Sequence, residues 1–113
     1  MSSMIDQPTR DELQLSAVLH ALSDPVRLRM VRYLAGAGGE LSCGSLDVPV
    51  TKSTCTHHFK VLREAGVIAQ RQEGRARLNA LREDDLEARF PGLLRTILSA
   101  ADELQPAGVS EQA

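Results

Sequence analysis

The sequence predicts an α+β fold that is mainly helical, with one two-stranded β-hairpin between helices. The first observation is spacing: from residue 9 to residue 66, apolar residues recur three and four apart, as on helix faces. The second is a change of period, since the stretch from Val67 to Leu81 alternates around a central Gly74, which is typical of a hairpin. The third is the length of 113 residues, which suits a single domain.

Composition describes a folded domain without membrane or export signals. Charged residues make up 25% of the chain and hydrophobic residues 42%. No apolar run approaches the roughly 20 residues of a membrane span, and no signal peptide is recognisable, so a cytoplasmic location without membrane contact is expected. Two cysteines are too few for a secreted disulfide scaffold. We expect a domain at residues 9–105 between flexible tails at 1–8 and 106–113.

The first two helices are predicted from the capping residues at their N-termini. Thr9 can cap a helix that runs to about Leu22 with a wide apolar surface, part of which is expected to meet a second subunit. Asp24-Pro25, an N-cap followed by proline, starts a helix that ends near Ala35. Its arginines are expected to face solvent: Arg27, Arg29 and Arg32. A short third helix is expected over Ser42–Leu46.

The helix predicted between Thr51 and Gly66 has two different faces. Its apolar stripe is made by Cys55, Phe59 and Leu62. The opposite face is polar and basic, with Lys52, Ser53, Thr56, His57, Lys60 and Arg63. A helix that follows a short link after another helix, and is apolar behind and basic in front, favours insertion into a DNA groove. An ordinary solvated face is the alternative.

Charge is distributed unevenly along the chain. The net charge is −2, but the stretch from Lys52 to Arg82 holds seven Lys or Arg against two acids. Three of these arginines lie near the hairpin turn: Arg71, Arg75 and Arg77. Concentrated positive charge of this kind is expected of a nucleic-acid contact, with the hairpin reaching phosphates. The alternative is a ribbon that only covers the edge of the core.

The chain is predicted to end in two helical segments. One begins at Glu83 and reaches Phe90, and a second runs from Pro91 to about Leu104 with a broad apolar stripe. A terminal helix this apolar has little left to pack against in a small monomer. We therefore expect a homodimer formed by the first and last helices.

This arrangement resembles the ArsR family of bacterial winged helix-turn-helix repressors. The residues that carry the resemblance are Ala21–Leu34, Leu41–Leu46 and Ser53–Val67, and the similarity covers roughly residues 13–104. The resemblance implies a homodimer on a palindromic double-stranded DNA operator. Ser53, Thr56 and His57 are the expected base contacts, and the expected phosphate contacts are Lys52, Lys60, Arg63, Arg75 and Arg77.

Many members of this family sense metal ions, and here the sequence departs from the pattern. The paired cysteine positions of the third helix are occupied by Ser42 and Gly44, with Cys43 between them. The last helix supplies only Asp102 and Glu103 of the other common site. Neither family metal site is intact, because a metal ion needs three or four suitable ligands.

The cysteines and histidines leave alternatives open. Cys55 is read first as a small buried hydrophobe, and second as a redox switch in which oxidation disturbs the seating of the helix, with or without a disulfide to Cys43. Cys55 and His58 are weak candidates for a divalent metal ion. No convergent catalytic set is present, so the chain is not predicted to be an enzyme. A partner protein that does the sensing, and a non-DNA adaptor, remain alternatives.

Overall fold

The computed structural model describes residues 2–46 and 50–104. In chain order its elements are β1 (Ser2–Met4), a 3-10 turn (Arg10–Glu12), α1 (Leu15–Leu22), α2 (Pro25–Ala37), a second 3-10 turn (Cys43–Ser45), α3 (Lys52–Ala65), β2 (Ile68–Glu73), β3 (Ala76–Leu81), α4 (Glu83–Arg89) and α5 (Leu93–Leu104). The order confirms the mainly helical α+β fold with its hairpin. The link at 47–49 and the predicted tail at 106–113 lie outside the described residues.

Local capping fixes where α2 and α3 begin. The Asp24 carboxylate accepts hydrogen bonds from the backbone N–H groups of Val26 (2.8 Å) and Arg27 (3.1 Å). The Thr51 hydroxyl accepts from the N–H of Thr54 at 3.2 Å. These side chains satisfy donors that the first helical turn leaves unpaired. The predicted starts of both helices are confirmed.

Gly66 ends α3 in a left-handed conformation with φ of 85°. A Cβ atom at this position would run into the side chain of Leu13, which is itself fully buried. The position therefore needs glycine for two reasons, the backbone angle and the close approach of the segment before α1.

The core lies behind α3. The predicted stripe of Cys55, Phe59 and Leu62 is buried, and Ala65 extends it. These side chains pack in one cluster with buried residues of α1, α2 and β2, among them Val18, Ala21, Met30, Val31, Leu34 and Ile68. The back of α3 is thus held by most of the domain, which fixes the direction of its front face.

The sheet has three strands in the order β1-β2-β3, all antiparallel. The expectation of a flexible tail at residues 1–8 is wrong for its start, because β1 pairs with β2 in the register Ser3↔Gln72. The pairing continues at Ile5, whose N–H donates to Gln70 O at 3.0 Å. Three residues are too few to show an alternating pattern, and an unpaired edge of β2 supplies the partner.

Two predicted helices are shorter than expected. The first divides into the 3-10 turn and α1, with Leu13 between them in extended conformation. The third, expected over Ser42–Leu46, is only the 3-10 turn Cys43–Ser45. Serine and glycine are weak helix formers, and this segment is short, so local propensity does not sustain an α-helix there.

The expectation that Arg27 faces solvent is also wrong. Its residue surface is only 8% exposed. Its Nε donates to Ala21 O at 2.7 Å, so the guanidinium closes over the end of α1. This hydrogen bond to a carbonyl at the C-terminal end of α1 compensates in part for burial of the charge.

Among the described helices, none is both long and apolar enough to cross a membrane.

Candidate nucleic-acid interface

The front face of α3 carries the polar residues expected there. Lys52, Ser53, Thr56, His57 and Lys60 are all exposed. The Thr56 hydroxyl donates to the carbonyl oxygen of Lys52 at 3.0 Å, one turn back along the helix. Because the opposite face is buried, this side of α3 is the one that a ligand can reach.

The hairpin brings two more cations to the same region. Glu73 pairs with Ala76, so Gly74 and Arg75 form a two-residue turn, and Gly74 has φ of 61°. Arg75 and Arg77 are exposed. Both line a groove of about 760 Å³ whose other walls include Lys52 and Thr56 of α3. The structure thus places four of the predicted contact residues around one groove.

Arg63 does not belong to this exposed set. Its side chain is 12% exposed. Its Nη1 donates to Gln70 Oε1 at 2.7 Å, which ties α3 to β2. A second nitrogen lies 3.8 Å from a Glu64 carboxylate oxygen. The sequence-based assignment of Arg63 to a phosphate is therefore corrected: the guanidinium faces the sheet.

Gln70 and Asn79 continue this polar connection across the sheet. They form a cross-strand pair, and both are buried. Gln70 Nε2 donates to Asn79 Oδ1 at 2.6 Å, and Asn79 Nδ2 donates to Leu41 O at 3.0 Å. The chain of hydrogen bonds links α3, both hairpin strands and the segment before Cys43. The sequence does not single out these two residues, because β2 (IAQRQE) and β3 (ARLNAL) carry other polar side chains as well.

Arg71 is also turned away from a DNA contact. Its Nε and Nη2 donate to the two carboxylate oxygens of Glu40 at 2.6 and 2.8 Å. These hydrogen bonds lower the pKa of the Glu40 carboxyl below its ordinary value. The pair joins the hairpin to the end of the α2 loop, leaving Arg75 and Arg77 as the hairpin's exposed predicted contacts.

His58 is buried on the rear of α3 against Arg27. Arg27 Nη1 lies 3.3 Å from His58 Nδ1. Burial, with help from the charges of Arg27 and His57, lowers the pKa of the His58 imidazole, and the Asp24 carboxylate opposes this. His58 therefore contributes to the seating of α3 and is not on the face that a ligand can reach.

Cys43 and Cys55 are joined by a disulfide bond, with their Cα atoms 6.5 Å apart. That separation lies within the usual range for such bonds. The bond connects the second 3-10 turn to the first turn of α3. The helix nevertheless spans Lys52–Ala65 without interruption. The sequence left this pairing open, because spacing along the chain cannot supply the distance.

The weak metal candidates are not arranged as ligands. The Cys55 sulfur is bonded to Cys43, and His58 Nδ1 faces a guanidinium. Throughout residues 2–46 and 50–104, no three His, Cys, Asp or Glu side chains converge as a metal site would require. At the family positions, Ser42 and Gly44 offer no metal-binding donor set, and Asp102 is paired with Arg32 at 2.8 Å.

Sequence comparison places this chain among DNA-binding regulators. A family described as a helix-turn-helix domain matches residues 22–71. The chain is 38% identical over 97 residues to an uncharacterized HTH-type transcriptional regulator, YceK, of Bacillus subtilis (strain 168). That alignment covers 84% of this chain and 97% of the relative.

Two solved structures share the fold. The transcriptional repressor BigR from Xylella fastidiosa superposes with a TM-score of 0.60 at 27% identity, covering 80% of this chain and 84% of that one. An ArsR family transcriptional regulator superposes with a TM-score of 0.58 at 23% identity, covering 80% and 93%. The second likeness concerns the fold alone.

Proposed function

This chain belongs to the helix-turn-helix transcriptional regulators, and we propose that it is a repressor of the ArsR type that binds a palindromic operator as a homodimer. DNA binding follows from the family. The repressor role is supported by the similarity to a protein described as a transcriptional repressor. Such regulators act by binding, so the proposal involves no catalysis, and we place the protein in the cytoplasm with the chromosomal DNA.

The observation that carries the proposal is the exposed face of α3 beside the arginines of the hairpin. We assign base-edge contacts in the major groove to Ser53, Thr56 and His57, which stand on that face and carry hydrogen-bonding groups. Phosphate contacts fall to the exposed cations Lys52, Lys60, Arg75 and Arg77. Arg63 is left out of the set because it is bound to Gln70.

A homodimer is supported by apolar surface that this chain leaves uncovered. Leu15 and Leu19 stand one turn apart on α1 and are 46% and 44% exposed. On α5, four large apolar residues are only half-buried: Leu93, Leu94, Ile97 and Leu98. Pairing these surfaces would remove them from water. Two α3 helices related by a two-fold axis would then read half-sites about one helical turn apart.

The effector is proposed to be something other than a metal at the family positions. Neither position offers a donor set, because Ser42 and Gly44 replace the cysteines and the Asp102 carboxylate is paired with Arg32. The remaining candidates are the Cys43–Cys55 pair and a partner protein that senses the signal. The disulfide favours the first of these.

Selection of binding sites from a random duplex library tests the proposal. We expect recovery of an inverted repeat that binds at least about 1,000-fold more tightly than random DNA. A reporter promoter that overlaps the recovered site should be silenced by the protein. Activation of the reporter would overturn the repressor role. Salt-sensitive binding without sequence preference, together with retention of an acidic protein, would favour the adaptor.

Titration of the recovered operator with the protein, with and without added divalent metal ions or peroxide, addresses the effector. Divalent metal ions should leave operator affinity unchanged, because the family ligand positions lack donors. A specific loss of affinity with one metal ion would contradict this and would direct attention to ligands outside the described residues.

A further inference from the structure

The groove between α3 and the hairpin contains the Cys43–Cys55 disulfide in its wall. Its volume is about 760 Å³, enough for a small molecule. Cys55 is only 2% exposed, whereas Cys43 is half-buried. A molecule in the groove can therefore approach the bond from the Cys43 side.

Among the described residues that line the groove, the charged side chains all carry positive charge. Its described lining residues include Lys52, Arg75 and Arg77, and no Asp or Glu is among them. Cations that line a concave surface raise the local concentration of anions by about 10-fold to 1,000-fold. The groove thus combines space, positive potential and a disulfide.

From this combination we propose that the groove binds a small anionic thiol, which exchanges with the Cys43–Cys55 bond and thereby regulates DNA binding. The regulatory half of this inference rests on the proposed function. The partner is defined by its chemistry: a thiol for the exchange, and a carboxylate or sulfonate for the cations.

The exchange proceeds in two balanced steps. The incoming thiolate attacks the Cys43 sulfur, a mixed disulfide forms at Cys43, and the Cys55 sulfur leaves as a thiolate. A second thiolate attacks the sulfur of the bound thiol, which releases the small disulfide and the Cys43 thiolate. The protein gains two electrons, two small thiols are oxidised, and each released thiolate can take a proton from water.

The leaving group has a favourable position for this chemistry. Cys55 lies in the first turn of the 14-residue helix α3. The positive end of the helix dipole favours a thiolate there and burial of Cys55 opposes it, so the dipole lowers part of the cost of the leaving group. Attack on Cys43 is favoured by access, because Cys43 is the more exposed of the two cysteines.

The oxidised form is the one that we expect to bind the operator. The complete helix α3 coexists with the bond, so we take the oxidised protein to keep its reading helix in place, which is the opposite direction from the redox switch considered for Cys55 in the sequence. The bond ties the two members of the helix-turn-helix together and limits their relative motion, and preorganisation of this kind favours binding. Reduction removes the covalent link between the short 3-10 turn and α3, so the two segments can move apart.

Charge selectivity is the direct test, carried out on the oxidised full-length protein without DNA. We would measure the rate at which 2-mercaptoethanesulfonate and 2-mercaptoethylamine each reduce the protein disulfide. Each rate is divided by the rate of the same thiol with a neutral small disulfide, which corrects for the intrinsic reactivity of the thiol. At low salt the anionic thiol should reduce the protein at least about tenfold faster on this scale. The preference should disappear in Arg75→Gln plus Arg77→Gln and persist in Arg95→Gln, which removes an exposed arginine of α5.

Equal normalised rates for the two thiols would overturn the binding site. Two free thiols in the air-oxidised protein would overturn the bond itself. Either result leaves the DNA-binding proposal standing, because neither measurement uses DNA.

The regulatory half is tested by operator affinity of the same protein before and after reduction. Reduction should weaken binding at least about fivefold, and Cys43→Ser should bind like the reduced protein and ignore the thiol. Cys43→Ala serves if the serine variant does not fold. Equal affinity of the two redox forms would overturn the regulation, whereas failure of both forms to prefer operator over random DNA would instead overturn the proposed function.

Discussion

Arg27 of α2 places its Nη1 atom 3.3 Å from Nδ1 of His58 on α3. Arginine can only donate, so the contact is a hydrogen bond only if this His58 nitrogen accepts, which requires a neutral imidazole with its proton on Nε2. A protonated ring would set two buried cations side by side. The packing of α3 against α2 therefore depends on the protonation state of His58.

Stability should fall in mild acid because of His58. Its pKa is lowered in the folded protein, so the unfolded chain binds the proton more readily. Stability that is fully present above the ordinary value of 6.5 is lost progressively as the pH falls below it, towards the lowered pKa of the folded protein. Denaturant unfolding between pH 7.5 and pH 5 should show this loss in the parent. It should be reduced in His58→Gln and retained in the exposed control His57→Gln. Identical pH profiles for all three would contradict the assignment.

The hairpin arginines should contribute electrostatic affinity without sequence preference. Arg75→Ala plus Arg77→Ala should weaken binding to operator and random DNA alike, and should lower the slope of log affinity against log salt by about 1.8, or about 0.9 for each lost phosphate contact. The control Arg95→Ala removes an exposed arginine elsewhere and should leave the slope unchanged. A parent-like slope in the double variant would exclude the hairpin contact.

Substitution of Arg63 should affect the stability of the fold, whereas substitution of Lys60 should affect DNA binding. Arg63→Ala leaves the buried Gln70 side chain without its donor and should cost about 1–3 kcal/mol of unfolding free energy. Lys60→Ala removes an exposed cation and should change stability by less than about 0.5 kcal/mol while lowering the salt slope by about 0.9. Chemical denaturation and DNA titration of both proteins check this. The reverse pattern would restore Arg63 to the DNA-contacting face.

Two glycines with similar backbone angles should respond differently to alanine. Gly74→Ala meets open space at the hairpin turn and should cost only the left-handed backbone term, about 1–2 kcal/mol. Gly66→Ala must also displace the Leu13 side chain, so its total cost should reach roughly 2–5 kcal/mol. Thermal or denaturant unfolding measures both. Equal losses would mean that Leu13 moves away without cost.

The dimer should depend on the exposed leucines of α1. Leu15→Glu plus Leu19→Glu places charges in the proposed apolar interface and should yield a monomer by analytical ultracentrifugation. Operator affinity should fall as well, because a monomer can contact only one half-site. Ser16→Glu plus His20→Glu puts the same substitutions one residue further along the helix, also one turn apart, and should remain dimeric. A dimeric leucine variant would exclude α1 from the interface.

The sequence determined those features that depend on neighbours in the chain. Asp24-Pro25, Thr51 and Gly66 mark the ends of helices because capping acts over one to three residues. The apolar stripe of α3 and the hairpin around Gly74 follow from periodicity, which is also local. For the same reason the exposed polar face of α3 could be named from sequence, except for Arg63, whose side chain turns to the sheet.

The tertiary structure decided which charged and reactive groups remain free. Arg27 and Arg63 look like surface cations in sequence, yet one closes over α1 and His58 and the other binds Gln70. The β1 pairing and the Cys43–Cys55 bond likewise join segments whose separation in space the sequence does not encode locally. The physical reason is the same in each case. Each of these groups finds its partner on another element or segment of the fold, and only the folded chain shows which partner that is.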